Sequence, residues 1–192
     1  FKLVERVPDT RTVLEPSKDW WGKPTHNLTR VEFRPIANNA TRVAALLSGE
    51  IDMMYPVPLQ DVPRLNQTAG VKVMEGPELR TIFLGFDQAR DELLYSNVKG
   101  KNPFKDVRVR QAFYQALDMD QIKRVVMRGA SAPTGLMIAK GIVGFDDELN
   151  KRYPFDPDAA KKLLTEAGYP QGFEVQLDCP NDRYVNDEAI CL

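Results

Sequence analysis

Residues 106–129 read DVRVRQAFYQALDMDQIKRVVMRG, and the spacing of apolar side chains in this stretch decides the kind of fold. Val109, Ala112, Phe113, Ala116 and Leu117 recur at helical intervals, so they make one apolar stripe, and Arg108, Arg110 and Gln111 occupy the other face. Asp106 stands at the N-cap position, where a carboxylate accepts from backbone N–H groups that have no partner inside the helix. Asp118 with Gln121 has the form of a capping box for a second helix. Ile122, Val125 and Val126 supply its buried side and Gly129 its stop. The pair resembles a helix-turn-helix in shape only, because a DNA-reading version requires a basic recognition face within a positive domain. Here 26 Lys and Arg face 27 Asp and Glu, a formal charge of -1, so no general cationic field exists for phosphates or anionic lipid. Nucleic acid is excluded as the expected partner.

Downstream, residues 130–152 lose all periodicity and are rich in Gly, Pro and Ala. This predicts a long irregular loop of binding or gating type, the alternative being an inert surface wrap. Asp156-Pro157 then opens a helix with Pro at its first position, Ala160, Leu163, Leu164 and Ala167 face inward, and Gly168 closes it. A strand is expected over 173–177. Upstream, RTIFLGF at 80–86 reads as a strand buried on both faces and able to cross between lobes. The polar run 88–105 reads as a surface excursion and a boundary. Further back come a strand at 51–55, a helix-like stretch at 59–67 and a strand at 71–74. Before them a helix carries Ala40, Val43, Ala44 and Leu47, capped by Asn38 or Asn39 and ended by Gly49. This β-α-β-α-β order implies a mixed α/β layer. FKLVERV, TRTVLEP and LTRVEFRPI within residues 1–36 alternate apolar and polar side chains, which predicts an antiparallel meander. Between them Trp20 and Trp21 are expected to pack across the sheet rather than to serve as a stacking platform.

The chain has 192 residues, 43% hydrophobic and 28% charged, which suits one large domain or two lobes with a real core. No apolar run approaches the roughly 18 residues of a membrane-spanning helix. Phe1 lies inside a strand-like pattern and Leu192 inside the helix-like run NDEAICL, so both ends read as cut. Cys179 and Cys191 are too few for a disulfide framework and wrongly spaced for zinc. Two semi-buried thiols are the favoured reading, and a single disulfide in an oxidising compartment is the alternative. His26 lies in a polar turn with no orienting carboxylate or serine pattern. The stretch Gly129-Ala130-Ser131 follows a helix where a nucleophile elbow needs a strand. No metal-ligand set is apparent, N-x-T triplets at Asn27, Asn39 and Asn66 are common by chance, and Asp146, Asp147 and Glu148 read as a solvated turn. A hydrolase or transferase therefore finds no convergent acid-base set.

Five ordered segments nevertheless resemble one family. DWWGKP resembles its tryptophan-glycine-lysine-proline turn, and ATRVAALLSGEIDMM its helix and strand. RTIFLGFD resembles its crossing strand, with Asp87 where Asn is usual. DVRVRQAFYQALDMDQI and FDPDAAKKLLTEAGYPQGFEVQL resemble two further runs. These are the extracellular solute-binding proteins of family 5, and the resemblance extends over nearly the whole chain. It implies an α/β fold, periplasmic binding protein-like and of class II, with two lobes joined by crossing strands and only part of each lobe present. Residues 1–79 would be the later part of the first lobe, 80–88 the crossing strand and hinge, and 89–192 the beginning of the second lobe. The resemblance further implies capture of di- or oligopeptides for the permease subunits of an ABC importer. Binding rather than catalysis, no cofactor, a periplasmic or extracytoplasmic location and a signal peptide preceding the chain go with it. Nickel chelate, haem, glutathione or an oligosaccharide are alternative solutes. Candidate ligand-binding residues are Arg80 and Thr81 at the crossing strand and Asn181, Arg183 and Tyr184 after the second-lobe strand. An Arg there can hold a carboxylate bidentately and a Tyr can stack or donate a hydrogen bond. Lys140 and its loop are expected to border the entrance.

Overall fold

The structure, a computed structural model, describes residues 1–181 and 183–192 and divides into two compact units, Phe1–Pro58 and Leu59–Leu192. Alternation at the start of the chain produces the expected meander: β1 (Lys2–Val7), β2 (Arg11–Glu15) and β3 (Val31–Phe33) form an antiparallel sheet in that order. The register sets Leu3 opposite Leu14 and Leu14 opposite Val31 on one face, while Val13 stands between Glu5 and Glu32 on the other. Arg11 pairs with Glu5 at 2.9 Å and Arg34 with Glu32 at 2.7 Å.

Helix α1 (Asn39–Ser48) begins at Asn38, whose side chain accepts from the Thr41 N–H at 3.0 Å, and ends at Gly49 with φ of 77°. Its buried residues are Arg42, Val43 and Ala45, whereas Ala40, Ala44 and Leu47 of the expected stripe are exposed. Arg42 explains the rotation. Its guanidinium donates to the Ile36 carbonyl and Asn39 Oδ1, each at 2.6 Å, and to the Pro56 carbonyl at 3.2 Å. A buried cation is tolerated because these acceptors replace its water. The expected packing of the indoles is also corrected, since Trp21 is 93% exposed and Trp20 44%. Trp20 folds back over its own turn: a Cβ on Gly22 would come within 2.6 Å of the indole, so glycine there permits the close approach.

The second unit contains α2 (Val62–Asn66), a 3₁₀ turn (Pro103–Lys105), α3 (Val107–Gln115), α4 (Met119–Gln121) running into a π-turn (Ile122–Val126), α5 (Pro157–Glu166) and α6 (Asp187–Cys191). Asp106 caps α3 by accepting from Arg108 N at 2.8 Å, Asp118 accepts from Gln121 N at 2.8 Å, and Asp156 accepts from Ala159 N at 2.9 Å. Helices α3 and α5 pack together, and the Arg108 guanidinium ties the start of one to the Glu166 carbonyl near the end of the other at 2.8 Å. The core joins Leu93, Phe104 and Val109 to partly buried Phe86, Phe113, Leu164 and Phe173. Its rings meet mostly edge-on or tilted, with Phe104 lying 4.7 Å from Phe86, 5.3 Å from Phe113 and 5.8 Å from Phe173.

Several expectations change here. Residues 88–105 are not a surface excursion, because they deliver Leu93 and Phe104 to the core. Asn102, itself buried, fixes their path by donating to the Asp87 and Arg90 carbonyls at 2.8 and 2.9 Å. Within α3, Gln115 is buried and Ala116 exposed. Val125 is 66% exposed and Met127 takes the buried position, because the π-turn inserts an extra residue per turn and shifts the face. The runs 51–55, 71–74 and 80–86 form no ladder among the described residues, and Ile82 and Phe83 are 43% and 60% exposed. An extended apolar run becomes a strand only where neighbours supply N–H and C=O partners, and the described residues offer none. The run 173–177 makes one antiparallel bridge, Ser96 to Val175, supported by Ser96 Oγ donating to the Glu174 carbonyl at 2.7 Å.

Candidate functional site

Four of the five expected ligand-binding residues come together in the second unit in two adjoining contacts. Arg80 donates from Nη1 to the Arg183 carbonyl at 3.0 Å, although 103 positions separate them. Its guanidinium carbon lies 6.0 Å from the centroid of the Tyr184 ring, within cation–π range, and Nη2 pairs with Glu78 at 2.9 Å. The neighbouring Thr81 hydroxyl donates to the Met137 carbonyl at 3.0 Å, so the loop 130–152 is tied to the run 80–86. Asn181 is exposed and joins none of these bonds. The arrangement presents a cation whose direction is fixed by a carbonyl, a carboxylate and a ring. Such a group can receive a carboxylate or carbonyl from a solute.

The loop carrying Arg183 and Tyr184 has a polar centre that sequence reasoning missed. Asp187, 4% exposed, accepts from the N–H groups of Arg183 at 2.8 Å, Glu188 at 2.9 Å and Tyr184 at 3.4 Å. Burial pushes its carboxyl upward, but the N–H groups of Arg183, Glu188 and Tyr184 outweigh that effect and hold it below its ordinary value. Asn186, with φ of 58°, donates to the Val126 carbonyl at 2.8 Å. The available signal was Asn186-Asp187 ahead of an apolar helix turn. This turn brings the end of α6 back to Cys179, and Cys179 and Cys191 form a disulfide with a Cα separation of 6.3 Å. The favoured reading as two thiols is thereby corrected.

The loop 130–152 is irregular, as expected, and it is anchored. Asn150 Oδ1 accepts from the Thr134 hydroxyl at 2.8 Å and from Gly135 N at 2.7 Å. A Cβ at Gly135 would collide with the Lys151 carbonyl. Lys140 pairs with Asp147 at 3.0 Å and lies 5.8 Å from the Phe145 ring, so the acidic run is partly neutralised rather than merely solvated. A separate pocket of about 190 Å³ is lined by Leu117, Met119, Asp120 and residues 152–155, and Arg152 pairs with Asp120 there at 3.4 Å. Tyr114 stacks edge-on against Tyr153 with its hydroxyl buried and unpartnered, and burial raises its pKa. None of the expected ligand residues lines that pocket. His26 is exposed, stacks on Phe1 at 4.9 Å and accepts from Leu28 N at 3.2 Å.

Comparison with known proteins gives these features a context. Residues 1–191 match the family described as bacterial extracellular solute-binding proteins, family 5 Middle. A dipeptide-binding protein of Escherichia coli strain K12 is 32% identical over 179 residues, covering 92% of this chain and 31% of the relative. The glutathione-binding protein GsiB of Shigella flexneri serotype 5b is 28% identical over 158 residues, covering 82% and 29%. Among solved structures, the periplasmic binding protein DppA of Helicobacter pylori in complex with the peptide STSA superposes with a TM-score of 0.74. It is 29% identical over 90% of this chain and 31% of that one. The chain thus spans about a third or less of each of these proteins, and its fold is part of the periplasmic binding protein type with two lobes. With its family pattern matched from the first strand to the last helix, the chain belongs to the bacterial extracellular solute-binding proteins of family 5.

Proposed function

We propose that this chain is the central part of an extracytoplasmic solute-binding protein that captures di- or oligopeptides by closing two lobes and delivers them to the permease of an ABC importer. The observation that carries the reading is the family match over residues 1–191, shared with relatives that bind peptides. In this reading residues 1–79 belong to the first lobe, 80–88 are the crossing segment and 89–192 begin the second lobe. Arg80 receives a peptide carboxylate or carbonyl, Tyr184 covers it, and Thr81, Arg183 and Asn181 complete the rim. The protein acts by binding, without a cofactor and without covalent chemistry. An extracytoplasmic location is supported by the disulfide, which persists in oxidising compartments and is rare where thiols are kept reduced.

Glutathione is a second solute to consider, because a relative 28% identical to this chain is named as a glutathione-binding protein. Both are peptidic and carry carboxylates that an arginine can hold, so the same residues serve either. The test is calorimetric titration of the full-length protein with Met-Leu, the tetrapeptide Ser-Thr-Ser-Ala and glutathione, together with mass spectrometry of co-purified solute. Saturable binding of a peptide, weakened at least tenfold by Arg80→Ala, is the expected result. A co-purified haem, metal chelate or oligosaccharide with no response to any peptide would replace the peptide reading.

A further inference from the structure

We infer that the Cys179–Cys191 disulfide positions the solute-contacting loop, holding Arg183 and Tyr184 against Arg80 and thereby setting solute affinity rather than the stability of the whole protein. The consequence for affinity rests on the proposed solute-binding reading, whereas the consequence for loop order does not. Neither end of the loop has a rigid frame of its own. On one side, the last described backbone pairing before Cys179 is the single bridge at Val175. On the other, α6 has only 5 residues and Asn186 forms no side-chain cap on it, so it is far too short to hold itself as a helix. Among the described residues, the side-chain bonds that hold the loop are those of the Asp187 carboxylate, of Asn186 to the Val126 carbonyl and of Arg80 to the Arg183 carbonyl. Each of these polar contacts competes with water, and each yields little net stabilisation.

The disulfide changes that balance by covalently joining positions 12 apart. Closing a loop of such length removes conformational freedom from the opened state, worth on the order of a hundredfold in the opening equilibrium. When it is cut, the opened loop carries the Arg183 carbonyl and the Tyr184 ring away from Arg80. Of its described contacts, Arg80 then keeps only Glu78, and a directed cation whose side chain is already 40% exposed becomes an ordinary surface arginine. Loss of preorganisation weakens binding without removing any solute contact. The core of the unit is insulated from the change, because the cluster of Leu93, Phe104 and Val109 and the side chains packed on it involve no residue of this loop.

The test uses the intact protein in three forms: oxidised, reduced by dithiothreitol, and carrying Cys179→Ser with Cys191→Ser. Reduction breaks the S–S bond, adds two electrons and two protons to give two thiols, and converts dithiothreitol to its cyclic disulfide. It needs no refolding, so it serves if the double variant misfolds. Amide hydrogen exchange is read at Arg183, Tyr184 and Glu188 and, as the internal reference, across α3. We expect loop exchange to accelerate at least tenfold on opening the bond while α3 changes less than twofold. The Kd for Met-Leu or glutathione should rise about fivefold to fiftyfold, mostly through faster dissociation. Unchanged loop exchange, or loss of protection in α3 to the same extent, overturns the inference. So does unchanged affinity in a protein whose loop has loosened. If neither probe binds even the oxidised protein, the peptide reading fails by itself, and the exchange data still decide whether the disulfide positions the loop.

Discussion

Arg80 owes its direction to groups from distant parts of the chain, and the most consequential of these is indirect. No hydrogen bond joins Asp187 to Arg80 among the described residues, yet its carboxylate gathers the N–H groups of Arg183, Tyr184 and Glu188 and so shapes the carbonyl and ring that Arg80 meets. The carboxyl is held below its ordinary value of 3.8 in the folded loop. A depressed folded pKa means the contribution is fully present above the unfolded value and is lost as pH falls through the folded one. The turn is therefore expected to keep its protection at neutral pH and to lose it only in acid below about 3.8, when the carboxylate is neutralised. Asp187→Asn should show the loosened turn already at pH 7, with loop exchange several-fold faster and no further acid transition after correction for intrinsic rates. Amide exchange from pH 7 down to 3 checks both statements. A variant as protected as the parent would show that the backbone, not the carboxylate, sets the turn. Arg42 illustrates the same dependence in the first unit, where carbonyls of Ile36 and Pro56 turn a cation inward against the apolar pattern of its helix.

The elements of the second unit are organised around Phe104, whose neighbours come from four separate segments: Phe86, Leu93, Phe113 and Phe173. Phe104→Ala removes the ring at the centre of this edge-on cluster. It is expected to lower the unfolding free energy by about 3–5 kcal/mol, the range for truncating a buried aromatic, with Phe104→Leu costing much less. Urea denaturation of the intact protein followed by circular dichroism measures the difference, and a loss under about 1 kcal/mol would mean that the cluster is not close-packed. Helices α3 and α5 were legible because their signals are local: Asp106, Asp156 and Pro157 at the starts, Gly168 at an end, and apolar residues at helical spacing between. The meander was legible through alternation. Phe104 was not, because the polar residues around it advertise a loop and nothing local says that Asn102 turns the chain inward. The turn of α4 into a π-turn was also hidden, since one extra residue per turn leaves no mark on an apolar pattern. The pairing of Cys179 with Cys191 depended on a fold-back made by Asp187, which spacing alone does not reveal. Of the proposed binding residues, Arg80 and Tyr184 could be named from their positions along the chain, but Glu78 and the carbonyl of Arg183 as partners of Arg80 follow only from three-dimensional proximity.

For the molecule as a whole, the unladdered segments and the proposed mechanism point the same way. In the proposed reading residues 80–86 are the crossing segment, and within this chain they are apolar on both sides yet exposed at Ile82 and Phe83. A solute drives closure only to the extent that it binds the closed state more tightly than the open one, which requires contacts from both lobes at once. This chain corresponds to about a third or less of the relatives it matches, so in the proposed reading Arg80 and Tyr184 supply only part of those contacts. A solute held by one side alone gains part of the contact energy, yet it still bears the whole cost of lost translational and rotational freedom, so affinity falls steeply rather than in proportion. Full-length protein is therefore expected to bind its peptide saturably and to contract on doing so, measured as a decrease in radius of gyration by small-angle X-ray scattering. Residues 1–192 alone should show at least a hundredfold weaker binding in the same titration and no contraction. Tight binding by the isolated chain would place the whole recognition surface within it and remove lobe closure from the mechanism. Contraction of the full-length protein without any loss in the isolated chain would separate closure from affinity.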